Sequence, residues 1–195
     1  MPPTVRFTRD AVLHAACQLM RREGMEALNA RAIAKELGGS TQPIFRLFTN
    51  MEDLHRELIL YVARQFQAHA EADMAQSDSP YIQLCTTYLL YGRDEPELFK
   101  LLFMRDRSGE EKSDGETEDV KKSVELIMKG TGLGMNDAFM LHLEMWIFVH
   151  GIASMIATSY LNWESELVSR MVSDAYEGIK ARFISKDGKE DKNVR

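Results

Sequence analysis

The sequence predicts an all-α protein: a three-helix helix-turn-helix head at the N-terminus joined to a helical-bundle body, about nine helices in all. Three observations predict it. Apolar residues recur at i, i+3, i+4 and i+7 along nearly the whole chain, the period of a helix with one buried face. The five prolines (Pro2, Pro3, Pro43, Pro80 and Pro96) stand near the start or at the edges of these segments. No run alternates in the way a half-buried strand requires. With 195 residues, 45% of them hydrophobic, the chain has material for a sizeable core.

The first helix begins at Thr8, a good N-cap, with Asp10 in the first turn to complement the helix dipole. Val12, Ala15, Ala16, Leu19 and Met20 form one stripe, and Gly24 ends it. Asn29 caps a short second helix that carries Ile33, Ala34 and Leu37 and stops at Gly38-Gly39. Ser40 or Thr41 caps a third, with Pro43 in its first turn and Ile44, Phe45, Leu47 and Phe48 as its apolar contacts. Asn50 caps a long fourth helix, acidic at its start (Glu52, Asp53) and apolar at Leu54, Leu58, Tyr61, Val62 and Phe66. After a polar break at residues 76–80 comes an apolar segment, Tyr81 to Tyr91. Pro96 then opens a short helix through Leu98, Phe99, Leu102 and Phe103. Residues 106–119 are charged and contain glycine and serine, so an exposed loop is expected. A helix from Val120 to Met128, a break at Gly130, Gly132 and Gly134, a long helix from Asn136 and a last amphipathic helix from Ser165 to Ile184 complete the set. The expected domains are a head at 1–56, a body at 57–186 and a solvated tail at 187–195.

The net charge of −6 hides an asymmetry. Residues 1–56 carry eight basic and six acidic side chains, a net of +2, which leaves −8 on the rest. A mildly basic head on an acidic body suits a nucleic-acid partner at one end. The two cysteines, Cys17 and Cys85, are far apart without metal-ligand spacing, and read as buried hydrophobes of a reducing compartment. The opening Met-Pro-Pro-Thr-Val-Arg lacks the apolar segment of a signal peptide. The stretch Ala138 to Leu161 is apolar enough to test as a membrane span. Its His142, Glu144 and His150 favour a buried or interface helix, so a cytoplasmic protein without a membrane partner is expected.

In a helix-turn-helix, two short helices cross steeply through a tight turn. The crossing needs a small residue, here Ala34, and the turn needs left-handed backbone four residues later, here Gly38. Ile33, Leu37, Ile44 and Leu47 flank them. Helices this short are not stable alone and must pack on the first and fourth. The third helix presents Ser40, Thr41, Gln42 and Arg46. Gln and Arg read base edges in the major groove, and Ser or Thr serves bases or phosphates. Arg31, Arg6 and Arg9 are candidate phosphate contacts, and for each a solvated arginine is the plain alternative.

These residues resemble those of the TetR family. From Phe7 to Ile59 the chain resembles its N-terminal domain, through Ala15-Ala16, Glu23-Gly24 and the segment ARAIAKELGGSTQPIFRLFTNMEDL. The resemblance implies DNA contacts by Arg31, Ser40, Thr41, Gln42, Phe45, Arg46 and Asn50. Three positions depart from the pattern. Phe45 and Leu47 stand where tyrosine is frequent, so Phe45 lacks a hydroxyl for phosphate. Met51 replaces a usual lysine. Gly39 stands where a β-branched residue is common, which predicts a looser turn. Further on, Glu97 to Met104 and Trp146-Ile147-Phe148-Val149-His150-Gly151 resemble a C-terminal subgroup named for a Trp-His-Gly signature. Members dimerise through their last two helices and hold an effector pocket in the body.

The last helix carries Leu167, Val168, Met171, Val172, Ala175, Tyr176, Ile179 and Phe183, a wider stripe than one packing face needs. The resemblance implies a homodimer, with Leu167, Met171, Ala175, Tyr176 and Ile179 pairing with Ala153 to Leu161 and their symmetry mates. The alternative is an intramolecular core helix. Twelve methionines and many body aromatics suit a small apolar effector, with Phe66, Tyr88, Phe103, Met104, Trp146 and His150 as candidate lining. Well-filled core is the alternative for any one of them, and His150 fits an effector or a backbone carbonyl equally. No enzyme signature is complete. His142-Leu143-Glu144 matches a deaminase fragment, but no Pro-Cys-x-x-Cys follows. His-Glu-x-x-His, Gly-x-Ser-x-Gly and the P-loop are absent. Neither a metal nor a cofactor is expected. The functional expectation is a regulator, by family default a repressor, that a small apolar effector releases from a palindromic double-stranded operator. Phe45 and Met51 keep open a family member with impaired DNA binding that acts as a ligand or protein-interaction module.

Overall fold

The computed structural model describes residues 7–108 and 114–190. Among the described residues are nine α-helices and no strand: α1 (Arg9–Glu23), α2 (Ala30–Glu36), α3 (Ile44–Leu47), α4 (Met51–Ala75), α5 (Pro80–Asp94), α6 (Pro96–Phe103), α7 (Asp114–Thr131), α8 (Met135–Ala157) and α9 (Ser165–Glu190). A 3-10 turn, Met25–Ala27, lies between α1 and α2.

The predicted caps at three helix starts are present. The Thr8 hydroxyl accepts from the Ala11 N–H at 3.1 Å. Asn29 Oδ1 accepts from Arg31 and Ala32 N–H at 3.1 and 3.0 Å. Asn50 Oδ1 accepts from Asp53 N–H at 2.8 Å, and the Asp53 carboxylate reaches back to Thr49 N–H at 2.9 Å. The bonds to Ala11, Arg31, Ala32 and Asp53 each satisfy a donor that a helix N-terminus leaves open. α3 differs from expectation. No side chain caps it. The Thr41 carbonyl instead accepts from Ile44 and Phe45 N–H at 3.1 and 3.3 Å, and Pro43 has no N–H to satisfy.

Two further boundaries move. α7 starts at Asp114, so residues 114–119, read as loop, are helical. Glutamate is a good helix former, and an acidic run at a helix N-terminus complements the macrodipole. α8 stops at Ala157 rather than running on to Leu161; Thr158 and Ser159 form a turn, with Ser159 at φ 59°. α9 continues past Ile184 to Glu190. Residues 109–113 of the expected loop, 191–195 of the expected tail, and Arg6 lie outside the described residues.

By their internal contacts the residues group into two compact units: Met1–Ala68 with Glu95–Arg105, and His69–Asp94 with Asp106–Arg195. α6 therefore groups with the head. In the first unit Val12, Ala16, Met20, Ile33, Ile44, Phe48, Leu54, Leu58 and Phe99 are fully enclosed, and α1 packs on both α2 and α6. In the second unit α8 packs on α5, α7 and α9, around buried Leu89, Ile127, Leu141, Met145 and Val172. α8 is long and apolar enough to cross a membrane by length and composition alone. One face supplies core, while Phe139, Met140, Trp146, Ile147 and Met155 remain exposed.

Candidate nucleic-acid interface

The turn between α2 and α3 is built as its residue types require. Gly38 adopts φ 67°, which a Cβ would penalise. Its N–H donates to the Lys35 carbonyl at 3.1 Å and that of Gly39 to the Ala34 carbonyl at 2.9 Å. Together these are the two bonds of a Schellman motif. Ala34 is buried at the crossing, with Ile33 and Ile44 beside it in the core. The expectation of a looser turn at Gly39 is corrected. A Cβ at residue 39 would come within 2.4 Å of Phe7 Cζ, so the Phe7 ring occupies the room that a branched side chain would fill.

The charges of the head sort into two groups. Arg9 donates to Glu57 and to the Leu47 carbonyl, and its guanidinium lies 4.8 Å from the centre of the Phe48 ring. Arg21 donates to Glu95 at 2.6 Å. Arg22 forks onto both oxygens of Glu36, at 3.1 and 2.9 Å, and Arg56 pairs with Asp53 at 3.4 Å. These cations are committed inside the unit. Arg31, Lys35 and Arg46 are exposed and make no ion pair among the described residues. Arg9, a candidate phosphate contact by sequence, instead anchors α1 to α4. Lys35 was not singled out by sequence, although it stands one helical turn after Arg31.

On the α3 side Ser40, Gln42, Phe45 and Arg46 are exposed, Thr41 is half-buried, and Asn50 is spent on its cap. Phe45 retains 48% of its surface. The polar residues offer donors and acceptors of the kinds that read base edges, and Arg31 and Lys35 add positive charge from α2. Met51 is half-buried at the start of α4.

The candidate ligand residues fall in two places. In the first unit Phe66 meets Phe103 edge to face at 5.5 Å, Phe103 meets Phe99 at 5.1 Å, and Met104 is exposed at the end of α6. In the second unit Tyr88 of α5 holds His150 of α8, hydroxyl to Nδ1, at 2.8 Å. Trp146, half exposed, stacks on the same imidazole at 5.8 Å. The Ser154 hydroxyl donates to the His150 carbonyl at 2.7 Å and lies 3.4 Å from Nε2. A neutral ring that accepts from Tyr88 and donates to Ser154 satisfies this pattern. Two turns away, Tyr81 and His142 repeat the pairing at 3.0 Å. That second Tyr–His rung was not read from sequence; tyrosines seven apart on α5 facing histidines eight apart on α8 were the available signal. Of the candidate dimer residues, Leu167 is exposed and Met171, Ala175 and Ile179 are half-buried along one line of α9. Tyr176 turns inward to pack on Tyr81 at 5.8 Å.

Burial lowers the pKa of His142, His150 and His55 below 6.5, and His55 Nε2 is enclosed without a hydrogen-bond partner among the described residues. The folded state therefore binds these protons less readily than the unfolded chain. Their neutral forms support stability above about pH 6.5, and this support is lost as pH falls through the lower folded values. The melting temperature is expected to fall between pH 7 and pH 5, above the range where carboxylates titrate, and His142→Gln should flatten the slope. A flat profile in the native protein would refute the assignment.

Comparison with known proteins agrees with this architecture. Residues 12–58 match the family model described as bacterial regulatory proteins, tetR family, and residues 81–175 match a tetracyclin repressor-like C-terminal domain. An uncharacterized HTH-type transcriptional regulator of Mycobacterium tuberculosis is 21% identical over 161 residues, covering 80% of this chain and 73% of that protein. A protein of unknown function from Rhodococcus sp. RHA1 shares the fold with TM-score 0.71 at 18% identity, covering 93% of this chain and 97% of the other. A TetR-like transcriptional regulator from the same organism gives 0.63 at 15% identity, covering 95% and 98%. The two family models follow one another in chain order over the helix-turn-helix and the helical body just described, and the chain belongs to the TetR family of DNA-binding transcriptional regulators, a family that is not enzymatic.

Proposed function

We propose that this regulator binds a palindromic operator as a homodimer in the cytoplasm, and that it is a repressor released by a small apolar effector. The observation that carries the DNA reading is the division of charge in the head. Four arginines are tied to carboxylates, while Arg31 and Lys35 of α2 and Arg46 of α3 stand exposed. Head residues 1–56 serve DNA; residues 57–186 serve dimerisation and the ligand. Dimerisation is supported by the exposed apolar face of α8 and by the line Leu167, Met171, Ala175 and Ile179 on α9, surface that a lone soluble chain rarely leaves in water. An isologous pair presents two heads to successive major grooves, with half-sites roughly 34–36 Å apart or a little more. Effector binding is supported by the aromatic group around Tyr88, Trp146 and His150, which combines apolar surface with orienting polar atoms.

Selection of bound DNA from a random pool, repeated with candidate ligands, tests this reading. The expected result is an enriched inverted repeat whose retention falls when the right ligand is added. A pool that never enriches overturns the operator, and favours the reading of a ligand or protein-interaction module that Met51 and the missing hydroxyl at Phe45 suggest. Sedimentation at micromolar concentration should give a dimer; a monomer refutes the pairing. Binding should weaken with salt, and Arg31→Ala or Lys35→Ala should each flatten the log–log slope by about 2, about 1 for the phosphate contact, and its counterion release, that each of the two protomers loses. An unchanged slope removes that residue from the phosphate-binding set.

A further inference from the structure

We propose that Phe45 is a specificity-determining residue that reads the 5-methyl group of a thymine in each half-site. The inference deepens the operator-binding reading and rests on it. Ile44 and Phe48 are fully buried in the head and Leu47 is half-buried. Phe45 stands in sequence between Gln42, exposed in the turn before α3, and Arg46, exposed on α3, and keeps 48% of its surface open to water. No ring partner or cation lies against it among the described residues. A ring left in solvent here is not needed for the head's own core, which closes behind it with Ile44.

The chemistry of the groove narrows what such a ring can meet. It has no donor or acceptor, so it cannot hold a phosphate oxygen or replace the hydrogen bonds of a purine edge. The major-groove edges of the four bases are polar at every position used for recognition except one, the thymine methyl, and apolar side chains recognise that group by contact. Wedging between base steps is a minor-groove device, and a short helix with glutamine and arginine flanking the ring suits the major groove instead. Gln42 and Arg46 then supply hydrogen-bonded readout on either side, while Phe45 distinguishes thymine from cytosine by shape and by removal of apolar surface from water.

The test uses the full-length protein and the enriched operator. Each thymine is replaced in turn by deoxyuridine, which removes only the methyl group. For the native protein one symmetric position is expected to weaken binding by about fourfold per half-site, the worth of one buried methyl. With Phe45→Ala the thymine and uracil operators should bind equally, and with Phe45→Tyr, which keeps the ring, the difference should persist. Unchanged melting temperatures show that both variants fold. If uracil is tolerated at every position, or if Phe45→Ala still loses affinity on uracil, the assignment is overturned. If no operator is enriched at all, the DNA-binding reading itself has failed, a result distinct from an operator that binds and ignores the methyl group.

Discussion

Arg46→Ala is expected to weaken binding to the selected operator by roughly 1–3 kcal/mol for each half-site and to flatten the base preference at one position. Arg46 sits at the exposed surface of α3, is held by no carboxylate among the described residues, and follows Gln42 by four residues. On the proposed operator, an arginine in that position would make a two-pronged contact with guanine, the most frequent specific contact in the major groove. Because Arg46 is exposed and makes no ion pair or side-chain hydrogen bond among the described residues, the variant should melt at the native temperature. Arg9→Ala is the informative contrast. Arg9 ties α1 to Glu57 and to the Leu47 carbonyl, so its loss should lower the melting temperature while the base preference keeps its pattern. A mobility-shift titration on matched and scrambled operators, paired with thermal melts, separates the two. If Arg46→Ala retains both affinity and preference, α3 is not the reading helix.

Gly39→Val is expected to destabilise the head by about 1–3 kcal/mol through overpacking. The backbone at Gly39 does not have the positive φ of Gly38, so conformation is not the obstacle. The obstacle is the Phe7 ring, whose Cζ lies 2.4 Å from the position of a new Cβ. Phe7 is itself buried, so Phe7→Ala alone should also destabilise, by opening a void. The double variant should recover part of the loss, since the valine then fills the space the ring vacated. The coupling read from the four proteins in a double-mutant cycle should be favourable to the pair. Additive effects within a few tenths of a kcal/mol would show that the ring and the turn are independent.

The contrast between these two residues marks what was legible in the sequence. Local rules are written in adjacent residues, and they identified the caps at Thr8, Asn29 and Asn50, the small residue at Ala34 and the left-handed turn at Gly38. The reach of side chains across the fold is not written there. Arg9 and Glu57 are 48 positions apart and Arg21 and Glu95 74 apart, so which arginines remain available could be decided only by geometry. The same holds for Phe7 against Gly39, a substitution of ring for side chain that spacing cannot announce. The start of α7 was missed for another reason: an acidic stretch with glycine and serine suits both a loop and a helix N-terminus, and only the neighbouring structure decides. In the body, the stripe on α9 was visible, but the inward turn of Tyr176 toward Tyr81 depended on how α5 is placed.

The internal pairing of the head's arginines has a consequence at the scale of a chromosome. A genome offers roughly 10⁶–10⁹ decoy sites to any regulator, and the grip on them comes from cations that displace counterions along the backbone. With Arg9, Arg21, Arg22 and Arg56 paired with carboxylates, Arg31, Lys35 and Arg46 are the exposed cations left without an ion pair among the described residues 7–56. On the proposed operator-binding reading, so small a set of free cations would shorten dwell times on decoys, detain fewer copies away from the operator and let a small cellular pool keep it occupied.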